Sequence, residues 1–310
     1  MLPQIKVLSG SSGRYLTQEI VAALNMPLTE VQLDRFSDGE MQPIICESVR
    51  GDALFLVQST YSPADNLLEL LLMIDAAKRA SAAYITAVIP YYGYARQDRK
   101  DKSRVPISSK LIANLLTTAG ASRLITMDLH TPQIQGFFDI PVDHLSAAAI
   151  FLSYLKEHLP NKNFVFAAPD VGGTKRARTF AKALNTELVI FDKRRDRPNE
   201  VSDMNVIGTV ANKDIILIDD IIDTGGTICK AATIAMERGA NSVRAMITHP
   251  VLSGKAYDNI NASALTELIV CNTIPLQQQS DKIKQLSVAT LFATAIRNVF
   301  EHRSVSILSI

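Results

Sequence analysis

The sequence predicts an α/β protein of two domains, each a mostly parallel sheet flanked by helices. Three observations predict it. Short β-rich apolar runs alternate with longer segments of helical periodicity along the whole chain. Several of those runs lack polar/apolar alternation, as parallel strands covered on both faces do. The length of 310 residues suits two domains at roughly 150 residues each.

Taken in order, strands are expected at Ile5–Leu8, Ala53–Gln58, Tyr84–Ile89, Leu124–Asp128, Phe164–Ala168, Glu187–Phe191, Asp214–Ile218, Ser242–Thr248 and Glu267–Val270. Helical patterns lie between them at Asn66–Ala80, Ile107–Ala119, Leu145–His158, Thr174–Leu184, Gly226–Arg238 and Ser287–Glu301. The order of elements runs through twice about a seam near residues 143–150, with no residue-level repeat and no low-complexity linker. The expected domains are therefore 1–145 and 146–310, the last helix crossing back towards the first. Two stretches break the rhythm: the charged loop 93–106, and 192–213, where a basic cluster precedes an apolar stretch, Val201–Val210, suited to a small hairpin.

Composition narrows the class. Hydrophobic residues make up 47% and charged residues 20%, which excludes a disordered or fibrous chain. With 32 basic against 31 acidic residues, the net charge of +1 leaves no footprint for bulk nucleic-acid binding, so a polyanionic ligand must be met by local charge. Cys46, Cys229 and Cys271 form no CxxC pair, which argues against a disulfide framework or a zinc knuckle. The most apolar stretch, Leu67 to Ala77, is interrupted by Glu69 and Asp75 and is too short to span a bilayer. The opening residues lack a signal peptide's apolar core, and a cytoplasmic location is expected.

The strongest chemical signal is the segment from Ile215 through Asp219, Asp220, Asp223, Thr224, Gly225, Gly226 and Thr227. An apolar strand ends in two adjacent carboxylates, and a short turn with two glycines leads into a helix. Ligands of open α/β sheets bind beyond the carboxyl ends of strands. Glycines admit close backbone approach, and the free N–H groups of a helix start suit a phosphate. Thr224 and Thr227 add hydroxyl donors. Asp219 and Asp220 suit either sugar hydroxyls or a magnesium shell. A helix capped after a core strand is the plain alternative, but carboxylates at a buried edge are costly without a ligand. No GxxxxGK loop or GxGxxG is present.

The same segment resembles the phosphoribosyl diphosphate signature of type I phosphoribosyltransferases. Arg35 to Glu40 (RFSDGE), Glu47 to Gly51, Ile89 to Lys100 (IPYYGYARQDRK), Met127 to His130, Gln133 to Asp139, Ala168 to Gly173 and Asp192 to Arg195 narrow the likeness. Together they resemble the ribose-phosphate diphosphokinases, or phosphoribosyl diphosphate synthetases, over nearly the whole chain. That resemblance implies transfer of the β,γ-diphosphoryl group of Mg-ATP to ribose 5-phosphate, on two domains of the type I phosphoribosyltransferase fold. It implies ATP contacts from Phe36, Asp38, Gly39, Glu40, Arg96 and Gln97, with adenine between Phe36 of one subunit and the Arg96 region of another. Ribose 5-phosphate would meet Arg195, Asp219, Asp220, Asp223, Thr224, Gly225, Gly226 and Thr227. Lys193 and Arg195 would be the catalytic pair, and His130 and Asp170 would help hold magnesium.

The bare residues are less specific. FSDGE alone reads as a turn, residues 96–104 as a solvated charged loop or a phosphate clamp, and the Lys193, Arg194, Arg195, Arg197 cluster as a surface patch or a charge neutraliser. Histidine is an unusual magnesium ligand, so Asp170 is the firmer expectation of the two. His144 is expected to be structural. Asp196 stands where the family usually has proline. The resemblance further implies a hexamer built from dimers, activation by phosphate and inhibition by ADP, with Ser48, Arg50, Lys102, Ser103 and Arg104 as candidates. A conventional phosphoribosyltransferase would need no adenine pocket. A non-catalytic relative would have lost Lys193 or the glycine turn, and both are intact.

Overall fold

The computed structural model describes residues 3–159, 163–193 and 204–306, with Lys193 described through its backbone alone. Arg194, Arg195, Asp196 and Arg197 lie outside the described residues. The chain forms two compact units, one of residues 1–146 with 287–309, the other essentially 147–286.

In the first unit, β1 (Ile5–Ser9), β4 (Ala53–Val57), β5 (Tyr84–Ile89), β6 (Arg123–Met127) and β7 (Val142–Leu145) make a five-stranded parallel sheet in the order β1-β4-β5-β6-β7. Every residue of β4 is buried, and β5 and β6 are buried beyond their first residue. That is why these strands read as continuous apolar runs. Helices α2 (Asp65–Arg79) and α3 (Ser108–Ala119) contribute Leu70, Met73, Ile74, Ile112 and Leu116 to a core with Leu54, Leu56, Ile85 and Leu124. Asp65 opens α2, and Lys78 and Arg79 close it, each sign matching its end of the helix dipole.

Several elements were not expected. Helix α1 (Arg14–Leu24) ends on Asn25 in the left-handed conformation, φ 57°. The strands β2 (Val31–Arg35) and β3 (Met41–Ile45) form an antiparallel hairpin around residues 36–40. Strand β7 occupies residues 142–145, so α4 begins at Ala148 rather than Leu145. The final helix, α8 (Ala289–Phe300), packs on α1, with the Arg297 guanidinium donating to Leu24 O at 3.1 Å and Ser287 Oγ donating to Glu19.

The second unit holds seven strands in the order β10-β9-β8-β11-β12-β13-β14. These are β8 (Phe164–Ala168), β9 (Leu188–Lys193), β10 (Met204–Ile207), β11 (Asp214–Ile222), β12 (Ser242–Pro250), β13 (Glu267–Cys271) and β14 (Ile283–Leu286). Only β10 runs antiparallel, paired with β9, where the sequence suggested a hairpin. Helix α5 (Thr174–Ala183) links β8 to β9. α6 (Gly226–Glu237) and α7 (Ala256–Ala262) share one hydrophobic core with Leu217, Val243, Ala245 and Leu268. From β8 the chain steps outward to β9, then returns to place β11 on the other flank of β8. The strand order thus reverses between β8 and β11, which defines the crevice where such sheets take ligands. The first sheet is wound in one direction and has no such reversal.

The glycine that ends β5's turn shows how tightly the first unit is drawn together. A Cβ on Gly93 would sit 2.0 Å from Thr60 O, a backbone atom, while the Gly93 N–H donates to Thr60 Oγ1 at 2.8 Å. Gly93→Ala should therefore lower stability by about 3 kcal/mol, the upper range for overpacking. Urea denaturation checks this, and an unchanged midpoint would mean that the 60–93 contact is not a tight one.

Candidate functional site

The second unit's crevice is built by one strand overshooting its neighbour. Pairing of β11 with β8 stops at Leu217 opposite Ala167, whereas pairing with β12 continues to Ile222 opposite Pro250. The expected strand end at Ile218 is thus four residues short, and Asp219 and Asp220 lie within the strand, beyond the last β8 partner. Asp220 is 4% exposed. Its carboxylate accepts from the Arg176 guanidinium at 2.8 Å, and the same nitrogen reaches Asp219 Oδ1 at 3.2 Å. Asp219 Oδ1 also accepts the Asp220 N–H at 2.9 Å. Burial, then the neighbouring Asp220 charge, hold the Asp219 carboxyl well above the usual carboxylate range, and Arg176 offsets only part of this. Arg176 was not anticipated. It enters from α5, 43 and 44 positions away, and no local motif announces it.

The turn then delivers free N–H groups. Gly225 is the N-cap of α6 with φ 77°, in the left-handed region, so its glycine is required by the backbone. No side-chain hydrogen bond caps α6, and the same is true of the other described α-helices. The first helical bond runs from the Cys229 N–H to Gly225 O at 2.9 Å, leaving the amides of the first turn outside the helical ladder. A Cβ on exposed Gly226 would meet only Thr224 Oγ1, at 3.8 Å. Nothing in the fold demands glycine there, so the open approach is available to a ligand. Thr224 is exposed and Thr227 half-buried at the same turn.

Asp170 follows β8 on the other side of the crevice. It is exposed, and its Oδ1 accepts the Gly173 N–H at 2.9 Å, fixing the turn into α5. Lys193 ends β9, and its side chain, like Arg195, lies outside the described residues. The structure therefore brings Asp170, Asp219, Asp220 and residues 223–227 to the carboxyl ends of β8 and β11.

In the first unit, the expected residues fall into two groups. Arg96 and Gln97 lie on the loop after β5, and His130 on the turn after β6. The Asp98 carboxylate accepts from Thr131 Oγ1 at 2.7 Å, joining the loops. Gln97 Oε1 accepts from Ser108 Oγ at the start of α3, so that side chain is engaged within the chain. His144, expected to be structural, accepts the Leu129 N–H at 2.9 Å and holds the turn that carries half-buried His130. The second group is the hairpin turn. Phe36 is 52% exposed, the Asp38 carboxylate accepts the Glu40 N–H at 3.0 Å, and Gly39 has φ 96°. Arg35 steadies the turn by donating to Gly39 O at 2.9 Å and pairing with Asp65 at 3.0 Å. Among the described residues, no group of three or more His, Cys, Asp or Glu side chains converges as a metal cluster. No helix of the described residues is long and apolar enough to cross a membrane.

Comparison with known proteins bears on this geometry. Residues 5–120 match the model of the N-terminal domain of ribose phosphate pyrophosphokinase, and residues 194–309 match the phosphoribosyl synthetase-associated domain. The chain is 54% identical over 302 residues to a ribose-phosphate pyrophosphokinase of Porphyromonas gingivalis, covering 97% of this chain and 96% of that one. It is 53% identical over 308 residues to one of Bacillus caldolyticus, covering 98% of each. The crystal structure of phosphoribosylpyrophosphate synthetase from Mycobacterium smegmatis superposes with a TM-score of 0.92 at 40% identity, covering 96% of this chain and 99% of that one.

The carboxylate pair yields a stability test. Because the folded pKa of Asp219 is raised, the folded state holds that proton more firmly than the unfolded chain does. The ionised form therefore costs stability once pH exceeds the unfolded value, and the cost grows until pH passes the folded one. Asp219→Asn should melt at or above the wild-type temperature at neutral pH. That advantage should vanish near about pH 4, where the native carboxyl keeps its proton. Thermal melts across pH check this. A lower melting temperature for the variant at neutral pH would show that Arg176 fully compensates the pair.

Proposed function

The chain belongs to the ribose-phosphate pyrophosphokinase family, and from that premise we propose which of its residues carry each part of the reaction. The enzyme makes phosphoribosyl diphosphate from ATP and ribose 5-phosphate. The anomeric hydroxyl oxygen bonds to the β-phosphorus as the bond to the α-phosphate oxygen breaks and the hydroxyl proton is lost. AMP leaves, and the diphosphoryl unit moves as one piece.

One observation carries the assignment of the sugar site: the turn 223–227, uncapped and open at Gly226, at the point of strand-order reversal. Its amides and the hydroxyls of Thr224 and Thr227 receive the 5-phosphate. Asp219, Asp220 and Asp223 accept from the ribose hydroxyls, and Arg195 adds a cation. Arg176 belongs beside this set, since its guanidinium pairs with both carboxylates, at 3.2 Å and 2.8 Å.

ATP falls to Phe36, Asp38, Gly39, Glu40, Arg96 and Gln97. The exposed Phe36 ring offers a face for adenine, and Asp38 and Glu40 offer acceptors for its amino group. A hairpin tip this exposed suits a site completed by another subunit, and a hexamer built from dimers is the assembly proposed. Ser48, Arg50, Lys102, Ser103 and Arg104 are the proposed residues for phosphate activation and ADP inhibition. The proposed location is the cytoplasm.

Magnesium is the proposed metal. Asp170 would supply a hard oxygen donor and His130 a nitrogen, and magnesium ordinarily takes most of its remaining ligands from phosphates and water. When bound, it neutralises phosphate charge. The chain's own contribution is positioning and fixed charge, with Lys193, Arg195 and Arg96 set against the transferring group.

The deciding assay is AMP formation from ATP that depends on ribose 5-phosphate. Lys193→Ala should lower kcat by roughly 10²–10³-fold with little change in either KM, as loss of a preorganised charge does. Lys193→Arg should recover part of the rate, because a planar fork does not replace a point charge. Arg197→Ala, outside the assigned set, should cost much less. Equal losses for Lys193→Ala and Arg197→Ala would reduce the cluster to a general basic patch.

A further inference from the structure

The turn 223–227 does not hold its own shape. From Asp223 to Thr224 its outer strand-side groups are held by the segment after β12 and by α7. The Leu252 N–H donates to Ile222 O at 3.0 Å, and the Ser253 N–H donates to Asp223 O at 3.1 Å. Ser253 Oγ donates to Asp223 Oδ1, fixing one oxygen of that carboxylate. Asn259 Nδ2, from α7, donates to Thr224 O at 2.9 Å. Asn259 O in turn accepts the Cys229 thiol at 3.5 Å, tying α7 to the first turn of α6. Burial pushes the Cys229 thiol pKa up, so it stays protonated and able to donate.

Two features separate this arrangement from ordinary loop packing. Leu252 is 6% exposed and holds φ 46°, a conformation that residues other than glycine rarely adopt. Its backbone is bent so that two successive N–H groups face two successive carbonyls of the turn. Ser253 and Asn259 are both exposed, so their side chains contribute little to core packing. The Ser253 hydroxyl donates to Asp223 and the Asn259 amide to Thr224 O, both atoms of the turn.

We propose that Ser253 and Asn259 are positioning residues for ribose 5-phosphate: they set the Asp223 carboxylate and the Thr224 carbonyl so that the amides of the turn face the phosphate. This rests on the assignment of the 223–227 turn to the sugar phosphate. Neither residue is placed in contact with the substrate, and neither belongs to the set that the sequence singled out. Their effect should therefore fall on sugar affinity and spare the nucleotide.

Steady-state kinetics on Ser253→Ala, Ser253→Thr, Asn259→Ala and Gly226→Val, with both substrates varied, test this. Ser253→Ala and Asn259→Ala should each raise the ribose 5-phosphate KM about tenfold, the scale of one hydrogen bond to a charged or polarised group, with the ATP KM within about twofold. Ser253→Thr keeps the hydroxyl and should restore most of the affinity, which a purely structural role would not require. Melting temperatures should change little, since both side chains are exposed. If Gly226→Val raises the ribose 5-phosphate KM while Ser253→Ala and Asn259→Ala do not, the turn assignment stands and the positioning role is overturned. If Gly226→Val also leaves that KM unchanged, the turn is not the sugar-phosphate site and the proposal fails with it. Equal losses for both substrates, without rescue by threonine, would likewise overturn it.

Discussion

Two carboxylates on adjacent residues of a strand cannot both be charged and buried without a counterion, and the second unit is organised around that constraint. β11 overshoots β8 by several residues, so Asp219 and Asp220 sit on a stretch of strand with no partner on the β8 side. Arg176 comes across from α5 to bridge both, yet Asp219 still keeps its proton more firmly than an ordinary aspartate. A fold selected for stability alone would place apolar residues here. The proposed sugar site gives the unfavourable charge a reason, since ribose hydroxyls would bring donors to the same place. Strand overshoot, reversal of strand order and the uncapped turn are three aspects of one opening at the end of β11.

The two units share an alternation of strands and helices but not a winding order. Sequential winding in the first sheet leaves no crevice of the reversal type, and its candidate residues sit instead on long loops and on a protruding hairpin. Loops tied to one another by single contacts, such as Thr131 to Asp98, suit the accommodation of a nucleotide whose base and triphosphate need separate handling. The rigid turn at 223–227 suits a single phosphate on a small sugar. The proposed division of labour between the halves therefore rests on topology as much as on the residues each carries.

How much of this was legible in the sequence depended on how local the cause was. β4, β5, β6 and β8 read correctly because strands covered on both faces leave near-continuous apolar runs. The β2–β3 hairpin did not: Val31 to Asp34 does alternate, but over only four residues, and Pro43 weakens the strand reading of its partner. β11 read four residues short because Asp219 and Asp220 resemble a strand end, although Ile221 and Ile222 continue it. Within the site, contiguous groups such as Asp223 to Thr227 were visible as a motif. Arg176, Ser253 and Asn259 were not, since their meaning lies in pairings 30 to 44 positions away. The roles assigned to Phe36 and Lys193 came from family resemblance, because an exposed aromatic on a turn and a lysine at a strand end carry no chemistry by themselves.

A chain of net charge +1 that handles polyanions must assemble its cations locally and keep them from neutralising one another's purpose. Here the arrangement is asymmetric. Arg176 is committed to carboxylates, whereas the turn amides beside it carry only partial positive charge and have no acidic partner in the first turn of α6. On the proposed assignment, a phosphate arriving at that turn would meet dipoles rather than an ion pair that must first be broken. The sugar hydroxyls, by contrast, would meet carboxylates whose charge is already partly compensated, and would bind as hydrogen-bond donors and not as counterions. Separating the two kinds of charge between the end of β11 and the turn that follows it would let one short stretch, 219–227, read a phosphate at one end of a molecule and hydroxyls at the other.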